Sequence, residues 1–141
     1  MVTDTNVAPF SWPIRVYYED TDAQGVVYYA NYFRYMERAR MEWLRALGVD
    51  QSRLLNEERR MFVVTETRAE FLAPAKFNDQ VVVTARLSGL ARATFDIEQN
   101  IYLHSLEGTP LVRGGVKVAF LNADTLRPLR VPAEFFEGTP I

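Results

Sequence analysis

The chain contains no cysteine and a single histidine, His104. Without cysteine it can form no disulfide, thiolate nucleophile or zinc knuckle. One imidazole excludes a multi-histidine metal site. An excess of one charge is also missing. Sixteen Lys and Arg stand against eighteen Asp and Glu, a net charge of −2. A nucleic-acid binder usually carries a strong basic bias, so no nucleic-acid partner is expected. No run approaches the roughly 20 apolar residues that a membrane-spanning helix needs. The stretch "MVTDTNVAPFSWP" has neither the basic start nor the apolar run of a signal peptide. Together these absences point to a cytoplasmic protein that is not transmembrane.

What is present suits one domain of 141 residues with a hydrophobic share of 48%. A chain of that length buries roughly two-thirds of the surface its unfolded form exposes. Residues 1–11 read as a flexible N-terminal tail and 12–141 as a single domain. "WPIRVYYE" reads as a strand and "DTDAQG" as a turn. From about Ala30 to Leu47, Tyr32, Tyr35, Met36, Ala39, Trp43, Ala46 and Leu47 recur at spacings of three and four. This spacing predicts a long helix, stopped at Gly48. "DQSRLLNEE" predicts one more short helix.

The period then changes to two. "MFVVTETRAEFL", "QVVVTARL", "ATFDIEQNIYL" and "LVRGGVKVAFL" predict four strands. In the third, Phe95, Ile97, Ile101 and Leu103 form the apolar face. In the fourth, Gly114 and Gly115 suggest a bulge or a close backbone approach. "AEFFEG" predicts a last helical turn. Short connections make the strands antiparallel. The result is an α+β domain whose sheet of about five strands buries its apolar face on the long helix. Such a row of strands also suggests that a second subunit pairs with or covers part of the sheet.

The chemistry concentrates in "YYEDTDAQGVVYYANYF", from Tyr17 to Phe33. Asp22 falls in the turn before the helix, and the chain reverses at Gly25. A helix starting near Tyr28 to Ala30 presents free N–H groups and the positive end of its dipole beside that turn. A carboxylate next to such donors matches the needs of acyl transfer. The donors hold a developing oxyanion, and the acid attacks or activates water. A turn role, an Asx turn capping the helix, competes for Asp22. "DTDAQG" also mimics the start of a calcium loop, but the twelfth position, which needs Glu, is Asn31. Tyr28, Tyr32 and Tyr35 fit either an acyl pocket or plain core packing. His104 reads as a turn residue far from the motif, which counts against hydratase chemistry.

"YYEDTDAQGVVYYANYFRYMERARMEWL", continued by "VTETRAEFLAPAKFND" and "RPLRVP", resembles the hotdog-fold acyl-CoA thioesterases of the 4-hydroxybenzoyl-CoA thioesterase type. It most resembles their Tol–Pal-associated YbgC branch. The resemblance implies a sheet wrapped round a central helix. It implies an acyl-CoA substrate, with coenzyme A part of the substrate and no separate cofactor. It implies a homodimer or homotetramer with active sites at the subunit interface. Its catalytic carboxylate falls on Asp22 and its oxyanion-binding amide near Tyr29. Gly25, Val26, Val27, Tyr28 and Asn31 fall on the substrate side of the motif. Arg92, with Arg113, Arg127 and Arg130 behind it, is the first choice for the phosphates of CoA, because a guanidinium fork matches two phosphate oxygens.

The branch usually carries His where this chain has Tyr29. A backbone donor survives that exchange. An imidazole proton carrier does not, since a tyrosine hydroxyl titrates near 10, and the chemistry must lean on Asp22. The readings left open are an aryl-CoA thioesterase, an acyl-ACP thioesterase partnered by acyl carrier protein, and a non-catalytic acyl-CoA or acyl-carrier binding module.

Overall fold

The computed structural model describes residues 9–139. Strand β1 (Phe10–Arg15) runs through a 3-10 turn (Tyr18–Asp20) to helix α1 (Asn31–Ala46) and the short helix α2 (Gln51–Asn56). Then come β2 (Arg60–Phe71), β3 (Gln80–Leu90), β4 (Thr94–Leu103), β5 (Val112–Asn122) and a last 3-10 turn at Ala133–Phe136. Most of the expected tail lies outside the described residues. Its end is corrected: Phe10 and Ser11 belong to β1, opposite Ala85 and Thr84 of β3. Phe10 stacks on Trp12 and packs against the core, so an apolar residue carries the strand two positions further back.

The five strands form one sheet in the order β1-β3-β4-β5-β2, antiparallel throughout. Strands β1 and β2 are its edges, and α1 lies across one face. The arrangement is the hotdog fold: an antiparallel sheet wrapped round one long helix. No helix among the described residues is long and apolar enough to cross a membrane.

Helix α1 forms where apolar residues repeat every three or four positions. Tyr32, Tyr35, Met36, Ala39, Trp43 and Leu44 make its buried face. Leu47, just past the helix end, is partly buried against the core, whereas the expected Ala46 is exposed, and Gly48 turns the chain at φ +85°. Glycine is suited to that left-handed position. Close approach of helix and sheet explains Gly114: a Cβ there would lie 2.8 Å from the Arg68 carbonyl oxygen and 3.0 Å from Met36 Cε.

Strand β4 departs from the expected alternation at two places. Phe95, Ile97 and Ile101 are fully buried, but Leu103 is exposed at the strand end. Between them Gln99, a polar residue, is fully buried. Its Nε2 donates to the Met36 carbonyl of α1 at 2.8 Å, and its Oε1 accepts from Arg40 Nη1 at 3.1 Å. Gln99 thus pins the middle of the helix to the middle of the sheet. Burial already pulls the Arg40 pKa below its ordinary value, with Glu37 opposing. Removing its acceptor should therefore be felt. Gln99→Leu is expected to cost about 1–3 kcal/mol of unfolding free energy, the penalty for leaving a buried polar group unpaired. Urea denaturation checks this, and a midpoint at or above that of the wild type would contradict it.

Candidate active site

Residues 20–28 form a tight hairpin. Thr21 and Val27 bridge, and the Asp22 amide donates to the Val26 carbonyl at 2.9 Å. The Gly25 amide closes the tip on the Asp22 carbonyl at 3.0 Å, with Gly25 at φ +79°. A side chain at that φ is strained, which explains the glycine. The hairpin is stitched to the loop after β2: Val26 bridges Lys76, and the Val27 amide donates to the Ala75 carbonyl.

Asp22 is partly buried at the hairpin turn. Its Oδ1 accepts from the Gln24 amide at 2.9 Å, an Asx turn. Its Oδ2 has no partner among the described residues. The turn reading and the catalytic reading are therefore compatible, since one oxygen fixes the side chain and leaves the other free.

The start of α1 supplies the second half of the site. Its N-cap, Ala30, offers no capping side chain, and its first turn carries no acidic residue. The Asn31 amide donates to the Tyr28 carbonyl, Tyr32 to Tyr29 and Phe33 to Ala30. Among the described residues the Tyr29 and Ala30 amides donate to nothing. Two free donors thus stand at the positive end of a sixteen-residue helix.

Asp22 and Tyr29 line one cavity of about 400 Å³. Val26, Val27 and Tyr28 share its wall, and Phe71 to Pro74 close it opposite. Tyr29 meets Phe71 edge-on at 5.9 Å, and Tyr28 tilts against Tyr29 at 4.9 Å. Contact with the Tyr29 phenol holds the Tyr28 phenol above its ordinary pKa. Tyr29 is 56% and Phe71 47% exposed, so this apolar wall stays open to solvent in a single chain.

Of the other residues named from sequence, Gly25 shapes the tip and does not line the cavity. Asn31 turns its side chain back, donating from Nδ2 to the Asp20 carbonyl at 2.8 Å. Arg92 lies in the β3–β4 turn, where its carbonyl accepts from Val131. The length of β3, about 33 Å at the usual strand rise, separates that turn from the Asp22 end of the same chain. Tyr32 and Tyr35 are core residues, though the Tyr32 ring also reaches the cavity floor. Phe71 to Pro74 went unrecognised as a wall; the cue was an aromatic residue at a strand end followed by a Pro-containing break, "FLAP".

Asp20 lies at the base of the hairpin. It is 9% exposed and its Oδ2 accepts from the Tyr17 amide at 2.9 Å. Beneath it the Tyr35 hydroxyl is buried with no hydrogen-bond partner among the described residues. Burial raises the Tyr35 pKa well above its ordinary value, and the neighbouring Asp20 carboxylate pushes the same way.

A hotdog sheet whose long helix begins uncapped beside a cavity lined by Asp22 and Tyr29 matches a class of protein, the hotdog thioesterases. The sequence matches the thioesterase-like superfamily over residues 16–138, and the chain belongs to that family. It is 41% identical over 125 residues to the acyl-CoA thioesterase YbgC of Haemophilus influenzae, covering 89% of this chain and 90% of the relative. It is 37% identical over 127 residues to the acyl-CoA thioester hydrolase YbgC of Escherichia coli, covering 90% and 92%. A probable thioesterase from Bartonella henselae superposes with a TM-score of 0.81 at 36% identity, over 89% of this chain and 100% of that one. These relatives bear out the family expected from the "DTDAQGVVYY" block.

The Tyr35 environment gives a stability prediction. A phenol whose pKa is raised by folding stabilises the fold fully below the unfolded value of about 10. Above that pH the unfolded chain ionises while the fold keeps its proton. Stability then falls by up to about 1.4 kcal/mol per pH unit for each such group, until the folded pKa is reached. Melting followed from pH 8 to 11 should show a decline above pH 10 that is shallower in Tyr35→Phe. Equal slopes would contradict this.

Proposed function

We propose that the chain is an acyl-CoA thioesterase, hydrolysing an acyl-CoA to a carboxylic acid and free CoA. The carrying observation is that one cavity is lined by Asp22 and by Tyr29, whose amide donates to nothing among the described residues. In this reading the thioester carbonyl oxygen sits on the amides of Tyr29 and Ala30. They bind it more strongly as it gains negative charge. The free Oδ2 of Asp22 then acts in one of two ways. It attacks the carbonyl carbon, expelling the CoA thiolate and leaving an acyl-aspartyl anhydride that water cleaves. Alternatively it takes a proton from the attacking water. Both routes consume one water and yield the acid and the thiol. The names of the relatives support the acyl-CoA class, and the cavity's tyrosine and phenylalanine rings suit an apolar acyl group.

The working form in this reading is a homodimer or a larger homo-oligomer, and two observations support it. Strand β2 is an edge of twelve residues with no partner on its outer side among the described residues. A long open edge invites pairing with another chain. Arg92 also lies a strand length from Asp22 in its own chain. Two β2 strands pairing antiparallel across a two-fold axis would bring the partner's β3–β4 turn toward the Asp22 end. CoA phosphates could then meet that guanidinium.

Asp22→Asn is expected to lower kcat by at least about 100-fold, the usual scale for a lost acid–base or nucleophilic group. Substrate affinity should stay within a few-fold, because the amide keeps the size and the turn. Release of free thiol from a panel of short, long and aromatic acyl-CoAs measures this. Near-normal kcat in the variant would contradict the assignment.

A further inference from the structure

Catalysis by Asp22 and the Tyr29 amide requires that the hairpin and the helix start keep a fixed separation. Beyond the hairpin's own pairing, one oxygen ties the two together. The Asp20 carbonyl accepts from the Tyr28 amide at 2.9 Å and from Asn31 Nδ2 at 2.8 Å. Asp20 cannot drift, since it is 9% exposed and its carboxylate is tied to the Tyr17 amide. Asp22 lies two residues after this anchor. Tyr29 lies between the two residues that grip it. The hairpin tip joining them, Ala23 to Gly25, is exposed, and its Gln24 and Gly25 amides bond only back to Asp22. The Tyr28 bond exists wherever the hairpin pairs. The Asn31 bond adds a second, side-chain grip from beyond Tyr29, so the free amides are pinned on both flanks.

We propose that Asn31 is a positioning residue of this site: its amide clamps the Asp20 carbonyl and so sets the distance between the Asp22 carboxylate and the Tyr29 and Ala30 amides. It does so without touching the substrate. This rests on the thioesterase reading above and adds to it the residue that holds the two halves together. Displacing a reacting group by about 1 Å can slow turnover roughly 100-fold while leaving binding in place. The clamp therefore acts on kcat. Helix stability is a separate matter, because Ala at the first helical position is a better helix former than Asn.

The test compares wild type, Asp22→Asn and Asn31→Ala, each full length, by three readouts. These are thiol release from an acyl-CoA, thermal melting, and hydrogen exchange resolved at the Tyr28 amide. Asn31→Ala is expected to lose about 10- to 100-fold in kcat with KM within about threefold. Its Tm should fall by about 2–6 °C, as for one lost hydrogen bond. Tyr28 should exchange at least tenfold faster while core β4 amides stay unchanged. Unchanged kcat and unchanged Tyr28 exchange would overturn the clamp. So would a parallel loss of kcat, KM and melting temperature, which marks a merely structural side chain. If wild type released no thiol, or Asp22→Asn kept its rate, the reading of the site would fail, and the catalytic half of this inference with it. The Tyr28 exchange would still decide whether the clamp exists.

Discussion

A long helix that starts without a cap is the constraint on which the rest of this protein turns. The first amides of any helix lack intrahelical acceptors, and proteins usually satisfy them with a Ser, Thr, Asp or Asn at the N-cap. Here the N-cap is Ala30, the Tyr29 and Ala30 amides donate to nothing among the described residues, and Tyr29 lines an open cavity. Uncapped donors persist only where the surrounding structure secures the helix by other means. The buried stripe from Tyr32 to Leu44, the Gln99 bonds to Met36 and Arg40, and the Asp20 carbonyl supply those means. The fold holds the helix without drawing on its first amides.

The hairpin before the helix brings Asp22 to the cavity that Tyr29 also lines. An acid at the N-cap itself would satisfy the helix and block the site. Asp22 instead spends one oxygen on its own turn through the Gln24 amide and keeps the other uncommitted. The Val26 and Val27 links to the loop after β2 bring Phe71 to Pro74 across from it, so one set of backbone bonds builds both the carboxylate and the opposing wall.

Much of this was legible in the sequence, for physical reasons. Helix α1 is amphipathic with a clear three-four spacing, so its span and buried face could be read almost residue by residue. The strands alternate, and Gly114 marked the close helix–sheet approach. The "DTDAQGVVYY" block marked the turn and the helix start, and the family followed from it. Other features depend on tertiary partners that no local pattern encodes. Gln99 looks like a surface residue until Met36 and Arg40 are seen to face it. Leu103 looks like core until the strand ends. Phe10 looks like tail until it finds β3. Asp20 lies in the same acidic turn as Asp22, yet its carbonyl accepts from both the Tyr28 amide and the Asn31 side chain. Arg92 matches phosphate chemistry by residue type, but its distance from Asp22 belongs to the three-dimensional sheet.

The central claim, that a thioester carbonyl rests on the amides opening α1 within reach of Asp22, has a direct spectroscopic measure. The protein would be labelled with nitrogen-15 and titrated with a non-hydrolysable CoA analogue that keeps the carbonyl but carries a methylene between it and sulfur. The account predicts that the Tyr29 and Ala30 amide protons move downfield and saturate together, as expected for new hydrogen bonds to the ligand oxygen. Saturable binding that shifts other residues and leaves these two amides in place would contradict it.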